Sequence, residues 1–480
     1  MPEYLSPGVY VEEVPSGPRP VEGVGTSTAG ITGLTERGPT TPRLVTNWGD
    51  YVRWFGDILP IGNTFTPFAV RGFFANGGAR LFVARVTGGG ALVALLDRPT
   101  TAAGQNFRIA ANGPGAWGNS LFVRIQNGSA TDSGGNAVGF RVTLLYYRVA
   151  PPVPLVDPLD PASLGNANRR DPDVTEDYDD LSFNPTDGNY VLNRINNNST
   201  LVTVSWTNPA AATARPTNLA NFGQLTTQAG TNGGAANAIT YIGNPAAALG
   251  ARTGLTALAD IDEIALLLAP DHVHTNLDAA NRNQLMNALV TQCERLGDRF
   301  AVLQFVQGLN NVNGINPPRD TSYAAAYYPW VRTFDPFTRG TVLVPPSGHV
   351  AGIYARSDIE RGVHKAPANE VVRDIINADI SPTEGPLEFK LGKGEQDVLN
   401  PRGINVIRDF RKDRRGIRVW GARTLSSDPL WRYVNVRRLF NFVEESIEQG
   451  TQWVVFEPND EDTWSRVRQS VSDFLTLVWR

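Results

Sequence analysis

The sequence predicts a multidomain protein of mixed α/β and β structure, in which an α/β sheet domain carries a β-rich insertion. Three observations lead to this prediction. The chain has 480 residues, which is too long for one ordinary hydrophobic core. Glycine (47 residues) and proline (34 residues) are frequent, which favours turns and β-structure. Residues 258–306 show a strand, an amphipathic helix and a second strand, the pattern of a parallel βαβ unit.

These patterns divide the chain into four parts. An extended N-terminal arm covers residues 1–24. The α/β core domain consists of residues 25–90 together with residues 255–375. The β-rich insert with long loops covers residues 91–254, and an α+β C-terminal domain covers residues 376–480.

The arm contains one strand-like segment, Val9-Tyr10-Val11-Glu12-Glu13-Val14, which prolines and glycines follow. A strand needs a partner for its backbone N–H and C=O groups. No second strand lies within the 2–5 residues or so that a hairpin loop spans. The segment is therefore expected to pair with a strand that is remote in the sequence or belongs to another molecule.

Two motifs of the insert have structural interpretations. Gly113–Gly118 (GPGAWG) matches the G-x-G-x-x-G pattern of dinucleotide sites, but such a site needs a helix N-terminus to bind the pyrophosphate. A strand-like segment, Leu121–Gln126, follows instead, so we interpret the motif as a tight turn between strands. The acidic stretch Asp171–Asp180 lacks the ligand register and central glycine of a calcium loop, and we interpret it as a solvated surface loop.

The residues that could support catalysis or bind a metal do not form a recognisable set. His272 and His274 lie beside Asp271, but a closed zinc site needs four ligands, and we expect loop histidines. Ser347 and His349 lack the G-x-S-x-G context of a hydrolase nucleophile. We predict no catalytic residues, no cofactor and no metal; a hydrolase centred on Ser347 or His349 is the enzyme alternative.

Composition limits the partners and the compartment. The net charge of −4 gives no basis for binding nucleic acid by bulk charge. A single cysteine, Cys293, excludes a disulfide framework within the chain and is expected to be buried on a helix. The N-terminus lacks a signal peptide, and the longest apolar run is far shorter than the ~20 residues that span a bilayer. We expect a protein that is made in the cytoplasm and does not insert into a membrane.

Two helices are predicted near the C-terminus, and the first, Val434–Gln449, has charges that run against the helix dipole. Arg437 and Arg438 lie in its first turn. Three glutamates lie toward its end: Glu444, Glu445 and Glu448. Either these charges compensate one another within the helix, with screening by solvent, or they are placed for a neighbouring subunit.

The second helix is predicted over Thr463–Trp479, and acidic residues 460–462 lie at its start, as the dipole prefers. One side is an apolar stripe: Trp464, Val467, Val471, Phe474, Leu475 and Val478. The other side is a polar face: Arg466, Arg468, Gln469, Ser472, Asp473 and Thr476.

Longer segments resemble contractile tail sheath proteins, as found in contractile phage tails, tailocins and extracellular contractile injection systems. The matching segments include LSPGVYVEEV, GITGLTERGP, FFANGGARLFVARV, GPGAWGNSLFVRI, YAAAYYPW, LNPRGINVIRDF and VWGARTL. The runs Val344–Asn369 and Trp420–Asn459 are long and specific, whereas residues 125–255 match weakly. On these segments the chain is identified as a member of that family.

The resemblance implies a structural subunit and not an enzyme. Sheath subunits form stacked hexameric rings around an inner tube, and they assemble in an extended, high-energy state. A baseplate trigger allows the sheath to shorten and widen, which drives the tube through a target envelope without nucleotide hydrolysis. The implied partners are copies of this chain, the inner tube protein, and baseplate and cap proteins. The particle would be a phage tail or a tail-like assembly that can be released extracellularly.

The resemblance also implies roles for the two ends of the chain. Sheath arms exchange strands with neighbouring subunits, so Val9–Val14 would be the donated strand and Pro15–Pro20 a spacer. The family's C-terminal domain faces the tube, and a helix there makes the attachment. We expect that helix to be Thr463–Trp479, with its polar face on the tube and Arg466 and Arg468 near acidic groups. The first C-terminal helix is the alternative attachment, and packing only within the domain is the other possibility for the second.

Sheaths usually continue for tens of residues past this last helix, and that extension supplies C-terminal strands for the exchange. This chain ends at Trp479-Arg480, so we expect the C-terminal arm to be missing from it. An alternative function is a surface-decorating binding module formed by the insert, residues 91–254.

Overall fold

The structure, a computed structural model, describes residues 20–102, 104–131, 133–135, 137–208, 214–381 and 384–480. The predicted strand segment Val9–Val14 lies outside the described residues. The architecture is mixed α/β with several sheets, as the sequence predicts.

The strands of the described residues belong to four sheets. Their bounds are β1 (Ala29–Leu34), β2 (Arg43–Val45), β3 (Leu81–Val86), β4 (Leu95–Pro99), β5 (Asn106–Ala111), β6 (Leu121–Asn127), β7 (Phe140–Tyr146), β8 (Val174–Leu181), β9 (Val202–Trp206), β10 (Leu219–Gln224), β11 (Leu266–Leu268), β12 (Phe300–Gln304), β13 (Ala324–Tyr328), β14 (Val331–Asp335), β15 (Gly340–Val344), β16 (Glu370–Val371), β17 (Ile404–Asp409) and β18 (Ile417–Val419).

The helices connect these strands or lie beyond them. Their bounds are α1 (Trp48–Phe55), α2 (Thr66–Ala75), α3 (Val191–Asn196), α4 (Ala238–Ile242), α5 (Gly254–Ala259), α6 (Ala279–Leu296), α7 (Ser347–Arg361), α8 (Lys393–Leu399), α9 (Val434–Gly450) and α10 (Glu461–Trp479). No helix in the described part of the chain combines the length and the apolar character needed to cross a membrane.

A nine-stranded sheet in the order β16-β18-β17-β13-β12-β11-β1-β3-β2 forms the centre of the core domain. The strands from β3 through β1, β11, β12 and β13 to β17 pair in parallel. Both faces are covered by helices, so these strands are apolar throughout. Leu266 and Leu268 pack toward α2 and α7, whereas Leu267 packs toward α6 on the other face.

The predicted βαβ unit is confirmed: β11 and β12 pair in parallel, and α6 connects them. The side chain of Asp278 caps α6 by accepting a hydrogen bond from the backbone N–H of Asn281. Gly297 ends the helix with φ 79°, a left-handed conformation that glycine adopts without strain. Cys293 is buried on this helix, as predicted.

Helix α7 lies unusually close to α2 because of two glycines. A Cβ at Gly348 would lie 2.2 Å from the carbonyl oxygen of Ala69, and one at Gly352 would lie 2.3 Å from that of Phe73. The two glycines are one helical turn apart, so they form a flat strip along α7. The sequence analysis did not predict this contact.

The insert contains two antiparallel sheets, β10-β6-β7-β8 and β4-β5-β9, which share one apolar cluster. The GPGAWG motif is the predicted turn between strands: a 3-10 helix, Ala116–Ser120, begins within it and leads into β6. The prediction of a surface loop over Asp171–Asp180 is wrong, because Val174–Leu181 forms β8. Asp177 is held there by Arg141 of the adjacent strand, whose Nε donates to it at 2.9 Å. The acidic residues suggested a loop, but a cation on the adjacent strand, 36 residues away in sequence, offsets their charge.

The packing places two segments differently from the predicted domain limits. Ala238 and Tyr241 of α4 belong to an apolar cluster of the core, although the predicted insert extends to residue 254. β17 and β18, which the sequence assigned to the C-terminal domain, extend the central sheet by pairing from β13 onward. Long-range pairing of this kind has no local sequence signal. Helices α9 and α10 then form the C-terminal part that follows the sheet.

Candidate assembly interface

The described end of the N-terminal arm and the first two residues of the core domain, residues 20–26 and here called the strap, lie along α9. The backbone N–H of Val24 donates to Oγ of Ser446 at 3.1 Å. Farther along, Nη2 of Arg438 donates to the carbonyl oxygen of Thr26 at 2.9 Å. The two helix positions are eight residues apart, about 12 Å along the axis, so the strap follows the helix instead of crossing it.

Two glycines allow the strap to approach α9 closely. A Cβ at Gly23 would lie 2.9 Å from the ring of Phe442, and one at Gly450 would lie 2.8 Å from the side chain of Val21. Val21 is 7% exposed. The strap is therefore anchored at the C-terminal end of α9, and the rest of the arm, residues 1–19, precedes this point in the chain.

Arg438 joins the strap, α9 and α7. Its guanidinium donates to Oδ1 of Asp358 at 2.9 Å and to Oδ2 at 2.6 Å, and both side chains are 3% exposed. The guanidinium also lies 5.0 Å from the ring centroid of Tyr354. A buried pair of this kind is costly to break from one side, because the remaining charge stays buried.

Arg437 is also used within the chain. Its Nε donates to Oδ1 of Asn441 at 2.7 Å, and its Nη2 donates to Oε2 of Glu444 at 2.9 Å. Its guanidinium lies 4.2 Å from the ring of Trp431 and 4.7 Å from that of Tyr323, within the range of cation–π contacts.

The two arginines therefore correct one of the sequence alternatives. Arg437 and Arg438 are not placed for a neighbouring subunit, because both are buried and form ion pairs within the chain. The compensating partner of Arg437 on the helix is Glu444, two turns away on the same face. That of Arg438 lies on α7, which no pattern in α9 could reveal.

Glu445 and Glu448 face outward into an acidic cleft of about 890 Å³ between α9, the strap and the edge of the core. Burial, followed by the nearby charges of Asp298 and Glu448, raises the pKa of Glu445. Its Oε1 accepts a hydrogen bond from Nε2 of Gln449 at 2.6 Å. The role of these two glutamates at a neighbouring subunit stays a prediction.

Helix α10 packs on α9 through Phe442 and Phe474, whose ring centroids lie 6.0 Å apart. The side chain of Asp460 caps its start by accepting from the backbone N–H of Thr463 at 2.9 Å, as the acidic cluster predicted. The buried residues of α10 face the body of the chain: Thr463, Ser470 and Phe474.

The predicted tube-contact residues do not all lie together. Arg466 is half-buried, pairs with Asp462 at 3.0 Å and lies 5.7 Å from the ring of Trp453. The other predicted contact residues are exposed: Arg468, Gln469, Ser472 and Asp473. Their binding to a tube stays a prediction.

Part of the predicted apolar stripe of α10 is exposed. Trp464 is 54% exposed and Leu475 is 42% exposed; Trp479, which the predicted stripe did not include, is 85% exposed. At 100° per residue these side chains fall within about 80° of arc together with Arg468 and Ser472. We call these five residues the outer face of α10. Exposed apolar groups arranged in this way are typical of interaction sites.

The loop between α9 and α10 presents a further apolar side chain that the sequence analysis missed. Phe456 is fully exposed and has φ 72°, a left-handed conformation that bulky residues rarely adopt. Its neighbour Val455 is 62% exposed. No sequence pattern singles out these residues, because they end an apolar run, Trp453–Phe456, and such a run does not show which of its members are exposed.

The candidate catalytic and metal-binding residues are buried in the core. Ser347 and His349 are inaccessible to solvent, and burial lowers the pKa of His349 to about 4. His272 and His274, expected in a loop, are buried at a 3-10 turn after β11. Among the residues that the structure describes, no group of three or more His, Cys, Asp and Glu side chains is arranged to hold a metal ion.

Two family models match the C-terminal half of the chain. The model of the phage tail sheath protein central domain matches residues 240–425. The model of the phage tail sheath C-terminal domain matches residues 426–480. The boundary between them coincides with the end of the central sheet and the approach to α9.

Individual relatives match over a similar extent. A putative prophage major tail sheath protein of Pseudomonas aeruginosa (strain UCBPP-PA14) is 30% identical over 240 residues, which are 46% of this chain and 54% of that protein. The tail sheath protein of Burkholderia phage BcepMu is 26% identical over 47% of this chain and 48% of that protein. The chain thus spans about half the length of these curated relatives.

Two solved structures have the same fold over nearly the whole chain. The PVC sheath complex of an extracellular contractile injection system, in its contracted state, gives a TM-score of 0.52 at 21% identity, covering 100% of this chain and 83% of that chain. A sheath tail protein from Listeria innocua gives a TM-score of 0.56 at 13% identity, covering 95% and 85%.

Proposed function

The chain belongs to the phage tail sheath family, and from this premise we propose that it is a structural subunit of a contractile sheath. Copies of the chain polymerise as stacked hexameric rings around an inner tube. The stack contracts and drives the tube through a target envelope, using energy stored in the extended lattice and no nucleotide hydrolysis. The partners are other copies of the chain, the tube protein, and baseplate and cap proteins of a phage tail or tail-like particle.

The course of the strap is the observation that supports this proposal most. The hydrogen bond from the backbone N–H of Val24 to Oγ of Ser446 and the burial of Val21 against Gly450 fix where the arm leaves the body. The nineteen residues before the strap could reach about 60 Å when extended, at about 3.3 Å per residue. A strand at Val9–Val14 would then be carried to a neighbouring subunit and added to its sheet.

The anchored strap would also keep the lattice connected during contraction. The body can rotate about the spacer Pro15–Pro20, while the backbone pairing at the far end stays intact. The two ends of the connection act independently, because the strap is held by side chains of α9 and the donated strand by backbone hydrogen bonds.

The outer face of α10 is the proposed contact with the tube. Trp464, Leu475 and Trp479 supply exposed apolar area, and large aromatic residues are frequent energetic centres of interfaces. Arg468 lies among them and would meet a carboxylate of the tube. Arg466 would instead support the helix from behind, since it already pairs with Asp462.

The test is co-expression of the full reading frame with its tube protein, followed by negative-stain electron microscopy. We expect striated tubes with six-fold symmetry and no requirement for ATP or GTP. Particles that remain monomeric with the tube protein present would contradict the proposal. Nucleotide hydrolysis that accompanies shortening of the tubes would contradict the proposed source of energy.

A further inference from the structure

Arg85, near the end of β3, is a buried cation at the joint between the core and the insert. It is 3% exposed. Its Nη1 donates to the carbonyl oxygen of Gly38 at 3.0 Å and to that of Pro114 at 2.7 Å, whereas its Nε has no hydrogen-bond partner. Within the described residues no carboxylate lies within 4.0 Å of its guanidinium, unlike the buried Arg438 beside Asp358.

Such an arrangement is unusual, because buried charged groups are nearly always paired. Two carbonyl oxygens satisfy only part of a guanidinium that carries five N–H donors. Burial lowers the pKa of Arg85 to about 10, so the group remains charged at neutral pH without a carboxylate in ion-pair contact among the described residues.

Glu36, a carboxylate near this joint, already has partners of its own. It accepts hydrogen bonds from the hydroxyl of Tyr146 at 2.6 Å and from the backbone N–H of Asp57 at 3.0 Å. Arg148 lies 3.3 Å from it and Arg37 lies 3.6 Å from it. Glu36 and Asp57 together balance Arg37 and Arg148, and among the described residues no carboxylate is left in ion-pair contact with Arg85.

Arg85 opens onto a cleft with room for a small ligand. The cleft has a volume of about 360 Å³, and its lining includes Arg85 and the paired carboxylate Glu36. Asn63, Thr87 and Asn232 also line it, and their side chains can donate hydrogen bonds. It lies at the carboxyl ends of the parallel strands β1 and β3, the edge at which α/β sheets usually bind ligands. The chain passes from the core into the insert beside the same cleft. There the backbone N–H of Gly88 donates to the carbonyl oxygen of Asn232 at 3.1 Å, and both residues line the cleft.

We propose that this cleft binds a small oxyanion, such as phosphate or a carboxylate, against the guanidinium of Arg85. The planar fork of an arginine side chain matches the oxygens of such an anion. Arg85 already ties the core strand to the segments around Gly38 and Pro114, so the bound anion stiffens the joint between core and insert. The proposal does not depend on the sheath assignment.

The test is thermal unfolding of the full chain with increasing phosphate, compared with sodium chloride at the same ionic strength. We expect phosphate to raise Tm by a few degrees in a saturable manner, because a ligand that binds the folded state stabilises it; chloride should not. Acetate replaces phosphate in a parallel series, which separates a carboxylate site from a phosphate site.

Variants locate the effect. Arg85→Gln should abolish the phosphate response, while Arg295→Gln, the same charge change at an exposed position of α6, should retain it. If Arg85→Gln fails to fold, Ala236→Leu tests the proposal instead, because Ala236 lines the same cleft and is not one of the carbonyl partners of the guanidinium. We expect the phosphate affinity of this variant, measured from the rise in Tm, to be at least tenfold weaker than that of the wild type.

Three results would overturn the proposal. One is a wild-type chain whose Tm is the same in both anions and in chloride. Another is a folded Arg85→Gln variant that responds to phosphate as the wild type does. The third is an unchanged response in Ala236→Leu, which would place the anion elsewhere.

Discussion

The guanidinium of Arg438 on α9 and the carboxylate of Asp358 on α7 form a two-bond ion pair, at 2.9 and 2.6 Å, with both side chains 3% exposed. The same guanidinium holds the strap at Thr26. One side chain thus connects the α/β core, the C-terminal helices and the root of the arm. Loosening this connection should affect stability and arm position together.

Replacing one partner of this pair should destabilise the chain strongly. We expect Arg438→Met to lower the free energy of unfolding by about 3–5 kcal/mol, because Asp358 is left buried and unpaired. Chemical denaturation measures this. The double variant Arg438→Met/Asp358→Leu should lose less unfolding free energy than Arg438→Met and Asp358→Leu lose in sum. A control, exposed Arg468→Met, should change stability by no more than about 0.5 kcal/mol; equal losses in both arginine variants would contradict the account.

Substituting Gly450 should release the strap. A valine side chain there would collide with Val21, which lies 2.8 Å from the position of the first added carbon. We expect faster hydrogen exchange of the Val24 amide, which is bonded to Ser446, and faster proteolysis of the arm. Gly394→Val is the matched control, since a Cβ at Gly394 meets nothing within 4 Å. Unchanged Val24 exchange in Gly450→Val would show that Val21 does not anchor the strap.

Acid should destabilise the core through His349. Its pKa falls to about 4 on folding, mainly because burial disfavours the charged ring, whereas an unfolded histidine has a pKa of about 6.5. Between these values the unfolded state binds more protons, so stability is lost as pH falls from about 6.5 to 4.

His349 is expected to lower the free energy of unfolding by at most about 3 kcal/mol at pH 4 relative to neutral pH, at about 1.36 kcal/mol per pKa unit. Denaturant unfolding at pH 7 and pH 4.5 measures it. His349→Gln should reduce the pH dependence, and His364→Gln, at an exposed position, should leave it unchanged. Equal pH dependence in all three proteins would contradict this role of His349.

The outer face of α10 should determine binding to the tube. Trp464→Ala and Trp479→Ala should each weaken co-sedimentation with preformed tubes by tenfold or more, since interface tryptophans contribute about 2 kcal/mol or more. Leu477→Ala is the control, because Leu477 is also exposed but lies outside this face. Arg468→Gln should reduce the dependence of binding on salt. Binding that only Leu477→Ala weakens would place the contact elsewhere.

The sequence predicted the elements with a strong local pattern. The parallel βαβ unit and both C-terminal helices follow from apolar periodicity, and the capping Asp460 was anticipated from charge alone. The close approach of α7 to α2 depends on glycines whose role becomes visible only against Ala69 and Phe73.

The missed features all depend on partners remote in sequence. β8 is a strand because Arg141 and its neighbours on β7 offset the acidic side chains. Trp464 and Leu475 belong to the predicted apolar stripe. They stay exposed because α9 covers only one side of α10. The strap was hidden because its contacts lie more than 400 residues away, although Phe442, Ser446 and Gly450 at four-residue spacing trace its path.

The central claim is that the arm donates Val9–Val14 to a neighbouring subunit, and electron microscopy of arm variants tests it most directly. The full reading frame is co-expressed with its tube protein as wild type, as Val11→Pro and as Val11→Thr. Proline removes a backbone N–H and disrupts strand pairing, whereas threonine keeps it. The account predicts striated tubes from the wild type and Val11→Thr but none from Val11→Pro. Tubes of equal yield from all three would contradict strand donation at this segment.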